Sequence, residues 1–330
     1  MMLRQCRAQK GTSSMTRSRA FFASASLLLI SFWGCSESTT TDAGPDECVS
    51  TIEVDTTRGE CSETLTFVPR VDMRVAGDNR VITANNIPDH AVGLFGNMQG
   101  ALNPNAIREQ SSTYQVNTAP VLSGTTTQLL SANGPAYSFG VLLNGVEVDP
   151  IAAEPWPHRG FMAANVNWQW NLEASMVQIG LDCNNAHVQP NGKYHYHARP
   201  TRYLEQINPS AAEMTLVGYA ADGFPIYYKY GYIVASDSTS GLKELFSSYQ
   251  LKSGQRPGDG VSAPCGEYTG VYSADFEYVN GQGDLDECNG RTGVTPEFPN
   301  GTYYYLITDD FPRIPRCFKG TPSNDFRIGR

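Results

Sequence analysis

Lys193-Tyr194-His195-Tyr196-His197 holds two of the five histidines of this 330-residue chain, and a third, His187, stands eight residues before His195. Side chains alternate along an extended strand with a period of two, so an H-x-H segment presents both imidazoles on one face and its tyrosines on the other. Upstream runs Leu181-Asp182-Cys183-Asn184-Asn185-Ala186-His187, followed by a turn at Pro190-Asn191-Gly192. That turn folds His187 back toward the strand that bears the pair.

Three neutral imidazoles that converge are a donor set for a borderline transition metal. His187, His195 and His197 are therefore the expected ligands of one copper or zinc ion. His90, in Asn86-Ile87-Pro88-Asp89-His90, is the expected fourth. Four imidazoles favour copper, and three with an open water position favour zinc. Asp89, Asp182, Tyr194 and Tyr196 are candidate outer acceptors that fix an imidazole tautomer. The rival reading makes Cys183 a thiolate ligand. His158, in Pro157-His158-Arg159, reads as a solvated loop residue.

Two further segments carry carboxylates. In Gly281-Gln282-Gly283-Asp284-Leu285-Asp286-Glu287-Cys288-Asn289-Gly290-Arg291, alternating acids before Asn-Gly resemble a calcium loop with Asp284, Asp286 and Asn289 as ligands. The spacing is not that of an EF-hand, because Thr295 stands where the closing glutamate belongs. Ala221-Asp222-Gly223-Phe224-Pro225 reads as a tight turn before a strand. If the histidine site is an enzyme, Glu287 and Asp222 are the candidates for proton transfer. The chain carries no glycine-rich phosphate loop, no G-x-S-x-G and no H-E-x-x-H.

Composition points to a mainly β or α+β fold: one loop-rich domain with few short helices, stabilised by disulfides. Glycine and proline number 31 and 20, and aromatics make up 11%. Strands are expected at 71–75 and 80–84 around Gly77-Asp78-Asn79, at 137–143 and 146–148 around Asn144-Gly145, and at 215–219, 225–230 and 301–308. Short helices are expected at 171–179, 200–207 and 240–249.

The N-terminus has the pattern of an export signal over 1–34, with Met15 the more typical start. Arg17 and Arg19 precede an apolar run, Phe21 to Trp33, too short to span a bilayer, and then Gly34-Cys35. Cys35 is the expected lipidation site of a periplasmic or cell-surface lipoprotein, ordinary secretion being the alternative. Ser36 to Glu47 is a polar tether, so 35–66 reads as anchor, tether and an N-terminal disulfide segment, and 67–330 as the domain. Arg4, Arg7, Lys10, Arg17 and Arg19 are the only charges before Cys35, so the net charge of −9 becomes −14 once they are removed. A surface that acidic repels nucleic acid and anionic lipid, leaving the lipid anchor as the contact with a membrane. Beyond Cys35 lie Cys48, Cys61, Cys183, Cys265, Cys288 and Cys317, an even set that favours disulfides in an exported chain. Cys48–Cys61, closing a short loop, is the first choice of pairing; the order of the others stays open.

With these segments together, the chain resembles the YHYH-domain family, named for the tetrad Tyr194-His195-Tyr196-His197. The resemblance runs from Asn85 to Phe326 and includes 86–90, 139–146, 181–187, 222–227, 284–291, 295–303 and 315–318. It implies domain limits and export but brings no activity with it. Three functions remain: a metal-binding surface protein; a metal-dependent enzyme, either a zinc hydrolase or hydratase or a copper oxidase; and a calcium- and disulfide-stabilised adhesion domain.

Overall fold

The computed structural model describes residues 52–159 and 164–328. The basic N-terminus, Cys35, the tether and Cys48 lie outside these residues.

Strands dominate, and the larger ones form two sheets. In the first, Val71–Ala76 (β1), Asn79–Ala84 (β2) and Ser112–Asn117 (β3) pair antiparallel in the order β1-β2-β3. The β1-β2 hairpin turns where the sequence reads Gly77-Asp78, with Gly77 at a positive φ of 61°. The second sheet has eight strands: Gly140–Leu142 (β4), Glu147–Val148 (β5), Ala186–Val188 (β6), Tyr194–Tyr196 (β7), Thr215–Ala220 (β8), Pro225–Tyr228 (β9), Gly290–Gly293 (β10) and Thr302–Ile307 (β11). Its order is β6-β7-β5-β4-β8-β9-β11-β10. Pairing is antiparallel except between β7 and β5 and between β9 and β11. The central strands are mostly buried, as β9 and most of β11 show, which suits a sheet covered on both faces.

The main core gathers Phe139, Val141, Val148, Tyr194, Tyr196, Ile226, Tyr305 and Phe318. Helix is confined to one α-helix, Thr201–Ile207 (α1), and three 3-10 turns among the described residues. None of these is long and apolar enough to cross a membrane.

Two expected helices are absent. Over 171–179 the apolar spacing yields a single 3-10 turn, Ala174–Met176, because the chain leaves a strand (Asn167–Asn171) and Glu173 is drawn into an ion pair with Arg316. Over 240–249 the backbone instead pairs as short strands with 230–232 and 276–278. Strand partners outweighed local helical spacing at both places.

The cysteine pairing also differs from the first choice. Cys61 bonds Cys183, 122 residues away, and Cys288 bonds Cys317. Cys265 is disulfide-bonded as well. Segment 59–63 runs along the domain, with Gly59 N–H donating to the Leu181 carbonyl and Glu63 exchanging backbone bonds with Val92. That path carries Cys61 to Cys183 rather than to Cys48. It also removes Cys183 as a thiolate ligand.

Candidate metal centre

The turn that builds the centre starts at Asp182. Its Oδ1 accepts from the N–H groups of Asn184 (2.9 Å) and Ala186 (3.2 Å), and Asn185 takes a left-handed φ of 54°. This bend launches β6 antiparallel to β7. The return turn closes with Gly192 N–H donating to the Gln189 carbonyl (2.8 Å), Gly192 itself at φ 91°. The resulting register sets His187 directly opposite His195, and His197 follows β7 on the same face.

The three rings form a near-equilateral cluster, with centroids 4.9, 4.6 and 4.7 Å apart. Nε2 of His197 lies 2.9 Å from Nε2 of His195 and 3.0 Å from Nε2 of His187. His195 and His197 are buried, and His187 is half-buried. Nδ1 of His187 faces the Ile179 carbonyl at 3.1 Å, and Nδ1 of His195 faces the Lys193 carbonyl at 3.3 Å. A carbonyl only accepts, so both Nδ1 atoms carry the proton and both Nε2 atoms present a lone pair. His197 Nε2 has one in-plane orbital, either a lone pair or an N–H, and two neighbours at hydrogen-bond distance. It can satisfy one of them at most. A cation bound by all three lone pairs satisfies the whole set. Tetrahedral zinc with bonds of about 2.0–2.1 Å spaces its nitrogens about 3.3 Å apart, so the two sides that meet at His197 need to open by only a few tenths of an ångström.

Electrostatics keeps the rings in the ligand form. Burial depresses the pKa of His187, against the pull of the Ile179 carbonyl. Burial and then His187 push His195 well below its ordinary value. His197 is lowered in the same way by burial, by the other two rings and by Arg316. Its Nδ1 is buried and unpartnered, the Pro150 carbonyl exerting only a small opposing effect.

The rings open into a cavity of about 320 Å³ that is also lined by Asn103, Asn105, Asp149, Ile151, Glu154 and Gln189, among others. Asp149 and Glu154 were not singled out from the sequence. Each has one buried oxygen, Oδ1 and Oε2 respectively, without a hydrogen-bond partner. Burial, then repulsion from Glu147, pushes the Asp149 carboxyl up to about 7. Burial raises that of Glu154 too. A sequence signal existed: Val146-Glu147-Val148-Asp149 alternates valine and acid, placing two carboxylates on one face of a strand that the eight-stranded sheet buries.

Other expected site residues lie elsewhere. His90 is not a fourth ligand. Its Nδ1 donates to its neighbour's Ala91 carbonyl (2.9 Å), and its Nε2 accepts from the Tyr196 hydroxyl (2.6 Å). The hydroxyl of Tyr194 donates to Asp182 Oδ2 (2.8 Å). Tyr194, Tyr196, Asp182 and His90 thus form a satisfied network on the opposite face of β7 and touch none of the three imidazoles. The carbonyls of Ile179 and Lys193 do the orienting expected of Asp182 and the tyrosines. For Asp89 the contact found is of its backbone carbonyl, with Gln206.

Asp222 accepts from the Tyr305 hydroxyl (2.6 Å) and the Gly320 N–H (2.9 Å), and Glu287 accepts from Lys319 Nζ (2.6 Å). Neither lines the histidine cavity, so the proton-transfer roles expected of them are not available there. The calcium loop is not formed either. Asp284 is held by Lys243 and the Phe246 N–H, and Asp286 by Tyr303 and the N–H groups of Cys288 and Gly290. Asn289 donates to the Leu306 carbonyl. These acids, with Lys319, line a larger hollow of about 750 Å³ that shares no lining residue with the histidine cavity. His158 stacks on Tyr272 and is half-buried rather than solvated.

Among the described residues, His187, His195 and His197 are the one group of three or more His, Cys, Asp or Glu whose ligand atoms all lie within 4.8 Å of one another. Fold and site define a disulfide-stabilised β protein with a tri-imidazole cluster at one end of its main sheet. The family model described as YHYH protein matches residues 113–320, more than half of the chain, and the chain belongs to that family. No curated protein and no solved structure matches it.

Proposed function

We propose that this chain is an exported, lipid-anchored metal-binding protein in which His187, His195 and His197 hold one transition-metal ion. The observation that carries the reading is the crowding of two Nε2 atoms, both fixed as lone pairs by backbone carbonyls, around a His197 Nε2 that hydrogen bonds alone cannot satisfy. Of the two ions expected from the sequence, three imidazoles beside an open cavity favour zinc over copper. Export and anchoring rest on the basic start, the apolar run and Cys35.

Elemental analysis of protein taken from the membrane fraction tests both parts. The expected result is about one zinc or copper per chain, falling at least tenfold in a His195→Ala/His197→Ala double variant, with Cys35→Ser releasing the protein from the membrane. Equally stable wild type without metal counts against the ion, and a Cys35→Ser variant that stays membrane-bound counts against the anchor.

A further inference from the structure

The parallel pairing of β5 with β7 puts His195 beside Glu147 and Tyr196 beside Val148, and the Asp149 N–H donates to the Tyr196 carbonyl at 2.8 Å. Asp149 is therefore next in register, alongside His197, and it lines the same cavity as the three rings. It is 4% exposed, and its Oδ1 has no partner. Buried carboxylate oxygens are normally hydrogen-bonded, so an orphan on a side chain that lines a cavity marks a place for a donor that comes from outside the protein. Asp149 does not belong to the group whose ligand atoms lie within 4.8 Å of one another. At least one of the three nitrogens therefore lies more than 4.8 Å from its carboxylate, so it is not a fourth ligand within the cluster.

We propose that Asp149 is the proton acceptor for a water held at the open position of the tri-imidazole centre, which makes the cavity a hydrolytic site for a small uncharged ester or amide. The inference rests on the metal reading above. In the step, the water oxygen bonds to the acyl carbon as one of its O–H bonds breaks, and that proton passes to Asp149 Oδ1. The bond from the acyl carbon to the alcohol oxygen or amine nitrogen then breaks, and Asp149 returns the proton to the leaving atom. One water is consumed, a carboxylic acid and an alcohol or amine depart, and nothing is oxidised or reduced. Glu154, with its own unpartnered oxygen, and the lack of lysine or arginine in the lining disfavour an anionic substrate. The apolar wall offered by Ile151, Ile179 and Val188 suits a short acyl chain.

The test uses the purified full-length protein loaded with zinc and 4-nitrophenyl acetate as substrate. Zinc-loaded wild type is expected to hydrolyse the ester faster than zinc-free protein and than His195→Ala/His197→Ala. Asp149→Asn should lower kcat roughly 100-fold while zinc content and KM stay near wild type. If the Asn variant fails to fold, Asp149→Ser takes its place, and added formate is expected to restore part of its lost rate, which a structural role would not allow. A zinc-loaded wild type no faster than the zinc-free protein overturns the proposal. So does a zinc-bearing Asp149 variant with wild-type kcat. A wild type that takes up no zinc is seen before any rate is measured and overturns the metal reading as well.

Discussion

At the scale of single residues, the neutral state of the three imidazoles has a cost that depends on pH. Burial holds their pKa values below the free value of 6.5. As pH falls through about 6.5 the unfolded chain takes up protons that the folded chain refuses, so folded stability is lost on acidification. Asp149 acts in the opposite direction. Its pKa rises from 3.8 to about 7, so the folded chain holds a proton that the unfolded chain has released, and stability falls as pH climbs between those values. Other buried groups shift in the same range, Asp222 raised to about 6 among them, so the triad and Asp149 are read by difference. From about pH 7 to pH 5 the melting temperature of metal-free wild type should fall relative to that of His195→Ala/His197→Ala and rise relative to that of Asp149→Asn. A difference independent of pH over this range would contradict the burial argument. The triad was legible because a period of two is a local property. Asp149 was not read, because its neighbour across the sheet comes from a strand nearly fifty residues away. His90 was misread because a residue type near an acid says nothing about which face of a distant strand it meets.

At the scale of elements, the β6-β7 hairpin sets the ring geometry and Gly192 sets the hairpin. A Cβ there would stand 2.7 Å from Arg108 Cβ and 3.1 Å from the Ala106 carbonyl, at a φ of 91°. Gly192→Ala should cost roughly 2–3 kcal/mol, adding the left-handed penalty to the clash. Gly77, also left-handed but with open space around it, provides the comparison; Gly77→Ala should cost about 1 kcal/mol. Denaturant midpoints check the two costs. A zinc titration should show weaker binding for Gly192→Ala only. Hairpins marked by Gly-Asp and Asn-Gly could be read from the chain, since turn chemistry is written in adjacent residues. The short ladders that replaced two expected helices could not, since their partners are remote.

At the scale of the whole molecule, the Cys61–Cys183 bond ties the N-terminal segment to the Asp182 turn across 122 residues, whereas Cys288–Cys317 spans 29. If each acts by restricting the unfolded chain, the longer loop contributes about 5 kcal/mol and the shorter about 3.5. Cys61→Ser/Cys183→Ser should thus destabilise the protein more than Cys288→Ser/Cys317→Ser, by urea unfolding. It should also weaken zinc binding more, because Cys183 neighbours the residue that launches β6. The reverse order would show that strain or residual structure dominates. Class of fold, disulfide content and family were all accessible from the sequence. Pairing was not, because loop length favours near cysteines while the folded path of residues 59–63 selects a distant one.

The two faces of β7 carry different side chains, imidazoles on one and phenols on the other. Its inner and outer chemistries are separated by parity alone, so the distance from turn to tetrad is a counting device. Deleting one residue between Gly192 and Tyr194 would exchange the roles wholesale, aiming phenols at the cavity and imidazoles into the hydroxyl network. This interval admits no odd-numbered change.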